Sequence, residues 1–546
     1  MSLFILLVLF GGCSAKKSRR DADRDAYEII DAKSEYVEGM REGLRLERNG
    51  EELLEELPEA SSDDVLPDVK DERNDDSGGE DKVSAVLVDL EDALRVAARN
   101  SREYRREQES VFLQALELSS ERNRFHPEFF WGIAGETGYD TGDHWTAEAR
   151  SKPGLEWLWA TGARLQANLS TTATRFLSGD SSSAARSVLD LTLTQPLLKD
   201  GRLSAVEPLA QAERDMVYEL RDFVRFQRRF AVGVLNDYYR VLESRQRVEN
   251  ERINHDNIVR IRRRAEALAE AGRVPELQVD RARQDELSAS DSLDGALQRY
   301  REALDDFKLA LGLSPGRRIT LDPADLDRLD EKMVNRPPVS RSESIELALD
   351  NRLDLATIRG EVQDARRRVE VAREELKPGL DVILGATANT PGDRPVDFGD
   401  GSRDVFGGLD ADLPLERTDE RNTYRRRLVE LARAERDYDE RRDEVVLEVT
   451  NRWRELDRAR SSHQIQRRSV EVAEERVEST ELLFDAGRAT MRDVLDARED
   501  LLRAQNRMAQ TIVDLRVSTL KLEQDLDILV VEEDGRLREG VGYDGE

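Results

Sequence analysis

The stretch LLFDAGRATMRDVLDAREDLLRAQNRMAQTIVDLRVSTLKLEQDLDIL, residues 482–529, decides the fold of this chain. It ends one helix at Gly487 and begins a second helix that returns along the first, because glycine readily takes the left-handed conformation that closes a helix. Apolar side chains then recur every seven residues, the period of a left-handed coiled coil. They are Val494, Leu501, Met508, Leu515, Leu522 and Leu529. The stretch predicts a helical hairpin that packs on other helices along its length.

The same hairpin occurs a second time in the chain. ALAEAGR at 267–273 matches LLFDAGR at 482–488 with a shift of 215 residues, and earlier matches in the same order carry a shift of 251. Collinear matches of this kind indicate a duplication. The chain is therefore divided into a first repeat at 84–312, a linker at 313–340 and a second repeat at 341–530.

Each repeat is predicted to run through one order of elements: an opening helix closed by a proline, a β-type region, a very long helix and a shorter returning helix. The predicted helices are 86–125, 203–270 and 276–312 in the first repeat, and 341–376, 416–485 and 490–530 in the second. At a rise of 1.5 Å per residue, a long helix spans roughly 100 Å and matches the two shorter helices placed end to end. The linker is then expected at mid-height of a helical rod, as an equatorial belt.

The β-type regions show alternating apolar residues, as at Leu380, Val382 and Leu384. Four of the five tryptophans fall in the first of these regions. Aromatic residues at strand ends are typical of the girdle of a membrane barrel, and the expected belt is Phe129, Trp131, Trp157 and Trp159. The core of an ordinary β-sandwich is the alternative on these residues alone. Beyond the amino terminus no stretch of 18 apolar residues occurs, so a membrane would have to be crossed by strands.

The amino terminus resembles a bacterial lipoprotein signal. A short apolar run ends in Gly11-Gly12-Cys13, which predicts a signal peptide at 1–12 and lipidation of Cys13, with a buried core cysteine as the alternative. Residues 13–83 are rich in acidic side chains and are expected to form a disordered or weakly helical leader. Residues 531–546 are expected to be a disordered tail.

Composition argues against several other functions. The net charge of −30 disfavours nucleic-acid binding, which needs an excess of basic residues. One cysteine permits no intrachain disulfide, and the four histidines lie too far apart in sequence to predict a metal site. No phosphate-binding loop or nucleophile elbow is recognised, so we expect neither an enzyme nor a cofactor.

Residues 482–529 resemble the signature region of the TolC family of outer-membrane efflux proteins. The family's pattern G-x5-D-V-x-x-A is matched here by Gly487, Asp493, Val494 and Ala497. The resemblance extends over about residues 84–530. It implies a mostly α-helical chain with a membrane β-barrel, in which three copies each give four strands to a 12-stranded barrel on a long α-helical barrel.

The resemblance also assigns roles to the glycine turns. It implies that they lie at the periplasmic tip and dock a periplasmic adaptor protein, through Ala271, Gly272, Arg273, Ala486, Gly487 and Arg488. It makes Asp493 and Asp496 similar to the family's aspartates at the channel aperture. The alternative is local, since acidic residues in the first turn of a helix favour its positive end.

The function that follows is a passive exit channel in the outer membrane, in contact with its lipid and anchored at Cys13. A homotrimer would serve a tripartite efflux pump or a type I secretion system, driven by an inner-membrane transporter. A structural or adaptor-type periplasmic coiled-coil lipoprotein is the alternative. It explains the helices equally well, but not the duplicated strands or the tryptophans.

Overall fold

The structure is a computed structural model. It describes residues 15–40, 44–46, 58, 86–140, 144–177, 183–334, 340–391, 394–395, 397–399, 401–413, 415–532 and 535–537. The expected signal peptide and Cys13 lie outside the described residues.

Helices dominate the described residues and follow the predicted order in both repeats. They are α1 Ala15–Ser34, α2 Leu90–Asn100, α3 Arg102–Asn123, α4 Gly201–Glu270, α5 Glu276–Ala310, α6 Ala324–Val334, α7 Arg341–Asn351, α8 Leu353–Glu375, α9 Thr418–Asp485 and α10 Met491–Asp525. The long helices α4 and α9 begin within two residues of the predicted starts and end at the predicted residues. None of the helices described is at once long and apolar enough to cross a membrane.

The strands fall into two sheets. They are β1 Val86–Val88, β2 Glu128–Asp140, β3 His144–Leu158, β4 Arg164–Phe176, β5 Ser183–Pro196, β6 Ile319–Leu321, β7 Gly379–Asn389 and β8 Arg403–Asp412. The short strands β1 and β6 pair in parallel, whereas the other six strands form one antiparallel sheet. The predicted linker at 313–340 thus contains a strand and a helix among its described residues.

The opening helix of each repeat is broken by a single extended residue, where the sequence predicted one continuous helix. Ser101 separates α2 from α3 at ψ 130°, and Arg352 separates α7 from α8 at ψ 119°. Their numbers differ by the repeat shift of 251, so the break is part of the duplicated unit. Each break meets the end of a returning helix. A side chain on Gly312 would collide with the carbonyl of Asn100, and the backbone N–H of Leu353 donates to Asp527 at 2.9 Å.

The chain divides into two compact units. One unit combines residues 111–220 and 357–440 with the N-terminal residues up to Tyr36, and it contains the six-stranded sheet. Its helices are joined by a polar cluster in which the Tyr218 hydroxyl donates to Asp364 at 2.8 Å. Burial raises the pKa of Tyr218 to about 12, so this hydroxyl stays protonated in the cluster.

The other unit comprises residues 37–110, 221–356 and 441–546. Its largest apolar core surrounds the β1–β6 pair and includes Tyr238 and Phe307, whose rings meet edge to face with centroids 5.9 Å apart. The Tyr238 hydroxyl donates to the carboxylate of Asp325 in α6. The linker helix is therefore tied to the long helix α4 by a buried hydrogen bond.

The predicted leader and the predicted tail both contain ordered residues where the structure describes them. Within the leader, α1 buries Ala26, Ile29 and Ile30, which share one face of the helix, and the Tyr27 ring lies 5.4 Å from that of Phe112. Within the tail, Val531 is buried and pairs with Leu537. The helix α1 is within the expectation of a disordered or weakly helical leader, whereas the expectation of a disordered tail does not hold at Val531 and Leu537. The average polarity of both segments conceals short apolar sets that pack on other parts of the chain.

Candidate functional sites: the six-stranded sheet and the glycine turns

The antiparallel sheet has the strand order β2-β3-β4-β5-β7-β8. The first repeat supplies four of these strands and the second repeat supplies two. The family resemblance implies four strands per chain, so the sheet has two more than expected. Residues 144–176 provide a hairpin, β3–β4, whose strands the sequence did not delimit: the stretch 160–172 looks strand-like, whereas Lys152-Pro153-Gly154 interrupts the alternating pattern of β3.

One face of the sheet is apolar from edge to edge. The register places Leu155 opposite Ala167 between β3 and β4, Leu169 opposite Leu189 between β4 and β5, and all four lie on this face. Its most exposed large side chains are Phe129, Trp131, Ile133, Tyr139, Trp145, Leu189, Leu191, Leu384, Val405 and Leu409. A monomeric protein in water rarely shows so large an apolar surface, so this face requires a partner or a lipid environment.

The opposite face is mostly polar, with more acidic than basic side chains, and Phe130 and Phe406 are its exposed aromatic residues. Arg150 donates to Glu148, two residues earlier on the same face of β3, at 2.6 Å. Thr387 of β7 donates to Asp190 of β5 at 3.1 Å. Residues that alternate between an apolar and a polar face are typical of a strand with lipid on one side and water on the other. The sheet therefore has the chemical character of the wall of an aqueous channel.

Aromatic side chains mark both ends of the β2–β3 hairpin. Near the helices, Phe129 is exposed, and Trp157 donates its indole N–H to the carbonyl of Phe125 at 3.0 Å while meeting Trp159 at 5.2 Å between centroids. Trp131, two residues after Phe129 on the same face of β2, donates its indole N–H to the hydroxyl of Ser151 at 2.9 Å. These four are the residues predicted to form an aromatic belt.

A second aromatic pair at the far end was missed by the sequence analysis. The rings of Tyr139 and Trp145 lie 5.2 Å apart, at the turn between β2 and β3. From Phe129 to Tyr139 the strand rises about 33 Å, which corresponds to about 25 Å of membrane thickness at a tilt of about 40°. An apolar band of about 25 Å between two aromatic girdles is the dimension of an outer-membrane barrel.

The two glycine turns have the same geometry, as the duplication predicts. Gly272 has φ 71° and Gly487 has φ 72°, the left-handed conformation expected of a helix C-terminus. The next residue closes each turn, since the N–H of Arg273 donates to Leu268 and that of Arg488 donates to Leu483, both at 2.8 Å. The six residues of the predicted docking set are all exposed: Ala271, Gly272, Arg273, Ala486, Gly487 and Arg488.

The two hairpins contact each other close to these turns. Arg264 of α4 binds Asp485 of α9 at 2.6 Å, and its guanidinium lies over the Phe484 ring at 4.7 Å from the centroid. A small apolar cluster with Val279 and Met491 fills the space between the hairpins. The turns are thus held as one surface rather than as two independent loops.

Asp493 occupies a capping box at the start of α10. Its carboxylate accepts from the backbone N–H of Thr490 at 2.7 Å, and the Thr490 side chain accepts from the backbone N–H of Asp493 at 3.3 Å. The hydrogen bond from the Thr490 hydroxyl is the main cause that lowers the pKa of Asp493. The structure therefore gives Asp493 the local role that the sequence left open as an alternative.

Asp496 is brought towards a residue that sequence reasoning missed. Its carboxylate lies 3.7 Å from the guanidinium of Arg492 in its own helix. Its negative charge also contributes to the raised pKa of Asp285 in α5. Burial is the main cause that raises the pKa of Asp285, with Asp496 and Glu499 adding to it against the opposing charge of Arg281. The repeat gave no signal for Asp285, because the shift of 215 places it on Asp500, whereas the predicted Asp493 and Asp496 fall on Gln278 and Arg281.

The fold is that of the TolC class of outer-membrane channels. The solved structure of CusC, which concerns folding and transmembrane channel formation, matches with a TM-score of 0.61 over 81% of this chain and 93% of that chain, at 12% identity. VceC of Vibrio cholerae, an outer membrane protein, matches with a TM-score of 0.56 over 80% and 96%, at 14% identity. The outer membrane channel MtrE of Neisseria gonorrhoeae matches with a TM-score of 0.58 over 80% and 88%, at 12% identity.

The second repeat also matches a family model. Residues 344–525 match the family model described as outer membrane efflux protein, so the chain carries a domain of that family. This confirms the resemblance drawn from the signature region. No curated protein sequence matches the chain.

Proposed function

We propose that this protein is an outer-membrane exit channel, a passive conduit through which an inner-membrane transporter expels small molecules or proteins. The observation that carries the proposal is the sheet, with an apolar face bounded by aromatic pairs about 25 Å apart and a polar face behind it. A periplasmic coiled-coil adaptor would have no use for such a face, because its surroundings are aqueous on all sides.

Three copies are proposed to form the channel, since the exposed edges of the sheet cannot face lipid unpaired. The glycine turns are proposed as the docking surface for a periplasmic adaptor. Their support is the exposure of all six residues, together with the Arg264–Asp485 pair that holds the two turns as one surface. Cys13 is proposed as the lipid anchor on the small residues that precede it.

At the tip, Asp493 and Asp496 are proposed to line the aperture, with different contributions. Asp493 chiefly orders the start of α10, whereas Asp496, with Asp285 nearby, supplies carboxylates that attract cations. The double variant Asp285→Asn/Asp496→Asn should lose cation selectivity in planar bilayers while keeping its fold. Unchanged selectivity would remove the aperture assignment from this pair.

The whole proposal is tested by membrane fractionation and reconstitution. The purified protein should fractionate with the outer membrane, migrate as a trimer in detergent and conduct ions in planar bilayers. Release into the aqueous fraction after Cys13→Ala, with no conductance, would instead favour the coiled-coil adaptor. Arg421→Gln, an exposed change at the start of α9, serves as the control and should behave as the unmodified chain.

A further inference from the structure

We propose that the channel wall is an eighteen-stranded barrel, wider than the twelve-stranded barrel that the family resemblance implies, because each chain supplies six strands. The inference rests on the proposed function and on three copies per channel. Its physical basis is that β3 and β4 belong to the same continuous wall as the other strands.

The β3–β4 hairpin is fully integrated in the sheet. β3 pairs with β2 from Glu128↔Glu156 to Asp140↔His144, and β4 pairs with β5 from Arg164↔Thr194 to Arg175↔Ser183. Removing the hairpin from the wall would break both ladders and leave their backbone groups unpaired in lipid, where no water can satisfy them. The hairpin therefore stays in the wall.

Its turn is also fixed at the helical end of the sheet. Gly162 has φ +83°, and a side chain there would collide with the backbone of Gly201, the first residue of α4. The backbone N–H of Gly162 donates to the Trp159 carbonyl at 2.8 Å, which closes the turn. The hairpin is thus anchored to the start of the long helix, at the level where β5 leads into that helix.

The apolar face continues through the hairpin without a gap. Leu155 of β3 and Leu165 and Leu169 of β4 lie on the same face as Trp131 of β2 and Leu191 of β5. If β2 and β3 lay outside the ring, Phe129, Trp131 and Ile133 would have no lipid to cover them. The aromatic pairs that define the band belong to these very strands.

The two edges are suited to pair with a second copy of this chain. β2 leads away from α3 and β8 leads into α9, so the two edge strands run in opposite directions. β8 of one copy can then pair with β2 of the next, and every neighbour in the ring stays antiparallel. Such head-to-tail contacts close into a ring when the rotation permits.

The added strands change the width of the channel. With strands 4.8 Å apart and tilted by about 40°, a twelve-stranded barrel has a backbone radius of about 12 Å and an eighteen-stranded barrel about 18 Å. The enclosed cross-section is about 2.3-fold larger, and barrels of 16–18 strands leave an open aqueous channel. The membrane end of this conduit is therefore suited to bulky solutes and to a polypeptide in helical form.

The strand count is tested by disulfide cross-linking between copies. Val405→Cys on the apolar face of β8 is combined in turn with Phe129→Cys, Ile133→Cys, Gly135→Cys and Thr137→Cys on the same face of β2. A matched set combines it with Leu165→Cys, Ala167→Cys, Leu169→Cys and Thr171→Cys on β4. Each cysteine is also introduced singly, as a control for linkage through Cys13, and oxidation is followed by denaturing electrophoresis.

An eighteen-stranded ring predicts covalent trimers for at least one β2 combination and none for the β4 set. Links in the β4 set without links to β2 would overturn the proposal, since they place β4 at the edge and leave a twelve-stranded ring. The absence of links in both sets would overturn it as well. Conductance measured on the same preparations separates this failure from that of the proposed function: a conducting trimer cross-linked through β4 is a channel with a narrower wall.

Discussion

Asp354→Asn should destabilise the protein, because three arginines share the carboxylate of Asp354. The Asp354 carboxylate lies 2.8 Å from Arg352, 3.0 Å from Arg225 and 2.9 Å from Arg441, with 12% of its side chain exposed. It joins the broken opening helix of the second repeat to both long helices. Loss of this carboxylate removes one of the negative charges that compensate the three arginines, which keep Glu448, beside Arg352 and Arg441, and Asp527, beside Arg225.

The magnitude follows from the burial of the cluster. Arg352 is only 3% exposed, but each arginine keeps a second carboxylate, so the loss falls near the lower end of the range for buried pairs, about 3 kcal/mol. For a compact unit of this size, that corresponds to a fall in Tm of about 5 °C. The measurement is the thermal unfolding of the detergent-solubilised protein, followed by circular dichroism at 222 nm.

The pH dependence of this difference gives a second, independent check. Burial by itself raises the pKa of Asp354, but the hydrogen bonds of Arg352 and Arg441 and the charges of Arg225 and Arg352 outweigh it and hold the pKa well below its usual range. A lowered carboxyl pKa stabilises the folded state at every pH above the unfolded value of about 3.9, and the contribution is lost as the pH falls through the folded pKa. The variant should therefore differ most from the unmodified chain at neutral pH, and the difference should shrink in acid.

Asp350→Asn is the matched control, because Asp350 is exposed and lies four residues earlier in the same repeat. Its change in stability should stay within about 0.5 kcal/mol. A Tm for Asp354→Asn equal to that of the control would refute the reasoning. So would a Tm difference that stays constant down to pH 3.

Three further predictions concern the tip and the amino terminus. Thr490→Ala should lower stability by about 1 kcal/mol, measured by thermal unfolding, because α10 loses its capping box; an unchanged Tm would contradict the cap. Gly487→Val should abolish export in cells while trimers persist on native gels, since valine is strained at φ 72° and the docking turn must distort. Gly233→Ala, in the middle of α4, is its control and should export normally. Cys13→Ala should prevent incorporation of radioactive fatty acid, and persistent labelling would disprove lipidation at that residue.

The helices and the glycine turns were largely predictable from the sequence, because their signals are local. Proline, glycine and the seven-residue apolar period each act within a few turns of the chain, which is why α4 and α9 were placed to within two residues. The capping box of Asp493 was also within reach, since Thr490 precedes it by three residues. The break of the opening helix at Ser101 had no local signal in the sequence. It is recognised only when the structure shows the same break at Arg352, the equivalent residue of the second repeat.

The strand count was decided by pairing. Whether residues 144–176 form two strands depends on neighbours on both sides, β2 and β5, which the sequence places before and after them without specifying the register. Lys152-Pro153-Gly154 weakens the alternating pattern of β3 at residues where the pairing with β2 continues without a break. Sheet hydrogen bonds come from partner strands, so the number of strands is a property of the assembled sheet.

The sequence by itself determined the duplication, the helical hairpins, the left-handed glycines and the resemblance to the family. All of these follow from short-range patterns or from comparison of the chain with itself. Tertiary structure alone decided the six-stranded sheet, the apolar band between its two aromatic ends and the buried cluster at Asp354. That cluster joins residues from α4, α8 and α9, separated by up to 216 positions in the chain. Charges so distant in sequence acquire their strength only when folding removes the water between them.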